Sequence, residues 1–193
     1  MSDTATMDRL DAERARLFAL IGRLLSAAPD AALLDGLAAL TGDASPLGRA
    51  YAGLADAAQR TTAEAVDREF FTLFIGVGRG EILPYASYYL TGFLHERPLA
   101  ELRGTLTGLG VGRAPGVPEP EDHIAFVAEV FAGLIDGRYA GDPAEFFARH
   151  IKPWAGRLFA DLEAAEGARF YRAVGALGRT AIDIEAAVAA LPH

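Results

Sequence analysis

Apolar residues recur along this chain at spacings of three and four, and no segment shows the alternation a half-buried strand requires. Leu17, Leu20, Ile21 and Leu24 line one face of a helix predicted over 8–26. Ser45-Pro46 offers an N-cap and a proline at the first helical position, ahead of Leu47, Tyr51, Leu54 and Ala58 on one side. Thr61 and Glu64 have capping-box spacing before Val66, Phe70, Leu73 and Phe74, with Gly76 placed to stop that helix. Pro98 opens another helix, carrying Leu99, Leu102, Leu106 and Leu109 and ending at Gly110. Ile124, Val127, Phe131 and Leu134 repeat the pattern, and Asp142-Pro143 with Glu145 caps a short helix. The expected fold is all-α.

The most regular stripe is the last: Phe170, Val174, Leu177, Ala181, Ile184, Val188 and Leu191. Three heptads fall short of a secure coiled coil, so the reading is a long helix laid across the core rather than a partner seam. The pattern breaks at 110–120, Gly-Val-Gly-Arg-Ala-Pro-Gly-Val-Pro-Glu-Pro, which cannot continue a helix. We expect a single domain over 1–193, with N-terminal helices 8–109, a hinge at 110–120 and C-terminal helices 121–191. A hinge there would let two copies exchange their C-terminal helices.

At 193 residues and 51% hydrophobic content, the chain can bury a substantial core. Its 26 acids against 18 bases give a net charge of −8, which repels nucleic acid and attracts a basic peptide. With no cysteine, disulfides, thiolate metal sites and cysteine nucleophiles are excluded. Arg9, Arg14 and Arg16 before the apolar 17–25 stretch imitate an export signal, but Asp3, Asp8, Asp11 and Glu13 cancel the charge and Arg23 interrupts the run. A first core helix of a cytoplasmic protein is the better expectation, with no membrane span.

Catalytic patterns are missing. Gly76-Val77-Gly78-Arg79-Gly80 follows a helix where a phosphate-binding loop needs a strand. The histidines His95, His123, His150 and His193 share no metal-ligand spacing, and no Gly-x-Ser-x-Gly elbow occurs. No catalytic residue, metal or cofactor is expected. Two segments remain with chemistry to offer. Glu119-Pro120-Glu121-Asp122-His123 has the composition of a helix start, with Pro120 at the first position and acids facing the helix dipole. The helix start is the preferred reading; the alternative is a polar binding edge in which Asp122 pairs with a guanidinium and His123 titrates near neutrality. Leu83-Pro84-Tyr85-Ala86-Ser87-Tyr88-Tyr89-Leu90 gathers three of the six tyrosines, as core or as an amphipathic contact surface. His150-Ile151-Lys152-Pro153-Trp154 reads as a helix junction, with Pro153 opening the next helix and Trp154 an anchor between helices.

Four segments in order, Phe70-Phe71-Thr72-Leu73-Phe74-Ile75-Gly76, Pro84-Tyr85-x-Ser87-x-Tyr89-Leu90, Pro118-Glu119-Pro120-Glu121-Asp122-His123 and His150-x-x-Pro153-Trp154, resemble the TorD/DmsD/NarJ-type redox-enzyme maturation chaperones. The resemblance covers roughly residues 60–165. It implies a cytoplasmic all-helical chaperone that binds the twin-arginine signal peptide or apoprotein of a molybdenum-cofactor oxidoreductase, assists cofactor insertion and delays export. It also implies domain-swapped homodimers, and it puts Asp122 and His123 on the family's hinge motif and Tyr85 on an aromatic position near the peptide site. A basic, then apolar, peptide needs acids beside an aromatic surface; Glu119, Glu121 and Asp122 with Tyr85, Ser87 and Tyr89 supply both. Gly76 is followed here by Val77-Gly78-Arg79 where many relatives have proline, and Pro84-Tyr85-Ala86-Ser87 replaces a tryptophan-bearing version. The client stays open among formate dehydrogenases, S- or N-oxide reductases and nitrate-reductase relatives. No feature supports carrying over the GTP binding of some relatives. The alternatives are a helical small-ligand-binding protein or enzyme with an apolar cavity, and an oligomerising subunit using the 170–191 stripe.

Overall fold

The computed structural model describes residues 2–113 and 119–190, with side chains from residue 7 onward. Leu191 of the terminal stripe and residues 114–118 of the predicted hinge, including Pro118, lie outside the described residues. All regular structure among the described residues is helical, in the order α1 (Ser2–Ser26), α2 (Ala31–Ala38), α3 (Pro46–Gln59), α4 (Ala63–Phe70), a π-helical turn (Phe71–Ile75), α5 (Ala86–Thr91), α6 (Arg97–Gly108), α7 (Ile124–Ile135), α8 (Pro143–His150), α9 (Ala155–Ala164) and α10 (Phe170–Val188). The all-α class is as predicted. The chain divides into two compact units, Met1–Arg23 with Tyr85–Trp154, and Leu24–Pro84 with Ala155–His193. Residues 110–120 lie within the sequence span of the first.

The first unit is organised on α7, which buries Ile124, Val127, Phe131 and Leu134 as predicted and, between them, all but Phe126 and Glu129. Phe131 meets Phe18 of α1 edge-on at 4.7 Å, and Phe147 of α8 packs 5.7 Å from it. Leu99, Leu102 and Leu106 bury one face of α6, and Asp142 caps α8 by accepting from the Ala144 amide at 2.8 Å. Trp154 anchors the junction after α8: it is 1% exposed, donates from Nε1 to the His150 carbonyl at 2.7 Å and faces the Tyr89 ring. Pro153 does not begin the following helix, which starts at Ala155.

The second unit is built around α10, which packs on α9, α3 and α4. Phe170, Val174, Leu177 and Ala181 are buried there, so these positions of the stripe are covered by the unit's own helices and offer no partner seam. Close approach of α9 and α10 depends on Gly178, where a Cβ would fall 2.2 Å from the Phe159 ring. The start of α10 is held by Glu69, whose carboxylate accepts from the amides of Arg169, Phe170 and Tyr171 at 2.7–3.1 Å. Ser45 caps α3 as predicted, through the Gly48 amide. The cap of α4 is Thr62 rather than Thr61: its hydroxyl accepts from the Ala65 amide, one residue later than the capping-box spacing placed it. Beyond Phe70 the helix widens, and Gly76 at φ +62 closes the π-turn by donating to the Phe71 carbonyl. Phe70, Phe74 and Tyr171 form one aromatic cluster, and Leu73 is fully buried. Phe70, Leu73 and Phe74 of the motif before Gly76 are thus scaffold, while Phe71 and Ile75 are exposed.

Candidate functional site

Within the first unit, Pro120–His123 forms a turn, closed by the His123 amide donating to the Pro120 carbonyl at 3.1 Å. This corrects the expectation that the acidic run is a first helical turn, since α7 begins only at Ile124. The acids are held elsewhere. The turn lies alongside the tyrosine segment, with Tyr85 and His123 paired as an isolated antiparallel bridge. Asp122 serves the neighbouring helix: its carbonyl accepts from the Ala86 amide at 3.0 Å and its carboxylate from the buried Ser87 amide at 2.8 Å. Both contacts satisfy amides of the first turn of α5, which has no cap from its own preceding residue. His123 caps the other helix, its Nδ1 accepting from the Ala125 amide at 3.1 Å. Two adjacent residues therefore secure two helix starts.

Around this joint the charged groups are engaged. The Tyr85 ring stands edge-on to the His123 imidazole at 5.1 Å, and its hydroxyl donates to the Glu119 carboxylate. Burial, reinforced by Glu119, pushes the Tyr85 phenol up, so it remains a donor. Arg103 of α6 donates to Glu121 from Nε and Nη2 at 2.9 and 2.8 Å. Partial burial would raise the Glu121 pKa, but the Arg103 hydrogen bonds and charge more than offset this and hold it below the usual carboxylate range. Arg113 donates to the Glu119 carbonyl at 3.1 Å. Burial pushes the His123 imidazole down to about 4 against the pull of Glu119 and Asp122, so it is neutral at pH 7, as its acceptor role requires. The expected titration near neutrality is corrected accordingly. His150 is also pushed down, by burial and then by Arg149, and its Nε2 lies 2.9 Å from the Thr105 hydroxyl as part of the packing.

Tyr85, Ser87, Glu119, Asp122 and His123 thus meet at one joint. Glu121 is turned toward α6, and Tyr89 toward Trp154. Asp122 is 1% exposed and Ser87 fully buried, which makes them the frame of the edge rather than its surface. Ser87 Oγ and Asp122 Oδ1 have no hydrogen-bond partner among the described residues. Arg103 and Arg113 were missed from the sequence, where nothing marks them as facing the turn. Exposed apolar side chains stand at the end of α5 and just beyond it: Leu90 in its last turn, then Phe93 and Leu94.

Among the described residues no group of three or more acidic, histidine or cysteine side chains is placed to hold a metal, and no helix is long and apolar enough to cross a membrane. In the second unit, Phe71, Val77, Arg79 and Glu81 border an open depression of about 470 Å³ beside the glycine loop. Glu81 is committed there, accepting from the Glu166 and Gly167 amides at 2.7 and 3.1 Å.

A family model described as nitrate reductase delta subunit matches residues 41–160, which include both arms of the joint and the His150–Trp154 junction. The chain belongs to this TorD/NarJ family. Similar curated proteins include the chaperone protein TorD of Aliivibrio fischeri, 35% identical over 69 residues, and that of Vibrio cholerae, 37% identical over 67. These stretches cover 35% and 34% of this chain and 32% and 30% of the relatives, so the match spans about a third of their length. A crystal structure described as a redox enzyme maturation protein from Archaeoglobus fulgidus has the same fold, with a TM-score of 0.56 and 20% identity over 86% of this chain and 91% of that one.

Proposed function

We propose that this protein is a cytoplasmic maturation chaperone for a redox enzyme, and that its client is the catalytic subunit of a molybdenum-cofactor oxidoreductase bound through its twin-arginine signal peptide or apoprotein. Binding keeps the apoenzyme open to cofactor insertion and delays export until that is complete. The observation that carries this reading is the family match across 41–160, which contains the whole acidic and aromatic joint. In this reading Tyr85, Glu119 and Glu121 meet the basic end of the peptide. Asp122, His123 and Ser87 hold that edge in shape, Tyr89 supports the tyrosine segment, and Leu90, Phe93 and Leu94 accept the apolar stretch that follows the arginines. The protein contributes shape and charge, not turnover. Its net charge of −8 speeds encounter with a basic segment, at a rate that falls with salt. Exchange of C-terminal helices between two copies through 110–120 belongs to the same reading.

Calorimetric titration tests it. A peptide with two consecutive arginines followed by an apolar run should bind, and the same peptide with glutamines in place of the arginines should bind much more weakly. Glu119→Gln should lower affinity about two- to fivefold, as expected for an exposed charge pair. Equal affinity for the two peptides, or none for either, would overturn the peptide reading.

A further inference from the structure

Two of the chain's own arginines already lie on the acidic turn. Arg103 reaches across from α6 and sets both Nε and Nη2 on a single Glu121 oxygen, at 2.9 and 2.8 Å. Arg113 donates to the carbonyl of Glu119, while the carboxylate of Glu119 accepts from Tyr85. The acids that would read a guanidinium are thus satisfied from inside the first unit. The Arg103 contact is the weaker kind: side-on to one oxygen rather than fork to fork, with the Arg103 side chain 52% exposed. The Glu121 side chain is 13% exposed, so the pair is open to water on the Arg103 side alone, from which the guanidinium can be exchanged. At the next residue of the turn, the buried Asp122 Oδ1, like Ser87 Oγ, has hydrogen-bonding capacity that no described residue uses. The turn thus already holds a guanidinium of its own chain.

We propose that Arg103 is a built-in competitor: its guanidinium holds Glu121 in the place of an arginine of the incoming basic peptide, which must displace it to bind. This rests on the peptide reading above and adds the residue that sets its affinity. Displacement costs the Arg103–Glu121 pair, and the incoming arginine recovers that cost only if it makes the better-aligned contact. A lysine, as a point charge without the planar fork, competes less well. The displacement cost is the same for either peptide, so Arg103 weakens both by one factor and leaves the preference for arginine to the planar fork itself.

The test is a set of titrations with one probe, a peptide carrying two consecutive arginines and then an apolar run, beside its two-lysine counterpart. Arg103→Gln should bind the arginine peptide about two- to fivefold more tightly than the natural protein, the span an exposed ion pair is worth. Arg103→Lys, which keeps the charge and the packing of the stem, should fall between them. Glu121→Gln should bind more weakly, and adding Arg103→Gln to it should then change nothing. Arg103→Gln should tighten the lysine peptide by the same factor, leaving the preference for arginine unchanged. Binding by Arg103→Gln equal to or weaker than the natural protein overturns the competitor. If in addition Glu121→Gln has no effect while the natural protein binds, the peptide reading survives on another surface. No binding by any of the proteins removes both.

Discussion

Asp122→Ala is the perturbation that weighs the joint most directly. Asp122 is 1% exposed and its carboxylate holds the Ser87 amide at 2.8 Å, so truncation strands a buried donor at the start of α5. Losing a helix cap costs about 0.5–2 kcal/mol, and losing a buried hydrogen bond to a charged acceptor about 1.5–3 kcal/mol. These figures describe one contact and do not add. Removing Oδ1, which has no partner, returns part of the cost, leaving a net loss of about 1.5–2.5 kcal/mol. For a chain of 193 residues, at roughly 2–4 °C per kcal/mol, the melting midpoint should fall by about 3–10 °C. Asp122→Asn keeps an acceptor for the Ser87 amide and turns the other atom into a donor, so it should lose less than half as much. Melts followed by circular dichroism at pH 7 read both variants. An Asp122→Ala midpoint within about 1 °C of the natural protein would refute the capping role. If capping is the whole of its contribution, peptide affinity should recover in step with stability in the asparagine variant.

Three further expectations follow from the geometry. His123 is depressed to about 4 in the folded chain, so the unfolded chain takes up its proton first as pH falls; the stabilisation is complete above about 6.5 and lost towards 4, roughly 3 kcal/mol in all. Melts across this window should fall less steeply for His123→Asn, and identical slopes would discount the buried imidazole. Gly178→Ala, which forces a methyl onto Phe159, should destabilise by about 1–3 kcal/mol, whereas Gly104→Ala in α6, where nothing stands within 4 Å, should stabilise by about 0.5–1 kcal/mol; like signs in denaturant unfolding would contradict the packing. Lengthening 110–120 should alter the monomer–dimer ratio by light scattering, and a constant ratio would remove the exchange proposal.

What was legible in the sequence was local. Ser45 and Asp142 cap the helices their neighbours announce, because a cap and its amide lie within three residues of each other. Glu119–His123 carries the same local signals, and they mislead, because the partner of Asp122 is an amide 35 residues away. The terminal stripe is legible as apolar, but periodicity does not say what covers it; α9 and α3 do. Tyr85, Glu119, Asp122 and His123 could be picked out by type, yet not the division of labour among them. Which acid is buried, which is met by Arg103 and which way the imidazole titrates depend on long-range packing that no spacing encodes.

The Asp122–Ser87 contact also sets an order of events during synthesis. On a ribosome adding about 5–20 residues per second, the cap of α5 emerges roughly 2–7 s after the amide it must satisfy. Until then a helix of six residues has neither the length nor the cap to persist. The tyrosine segment is therefore expected to acquire its shape only when the acidic turn arrives, so the joint is completed from its downstream side.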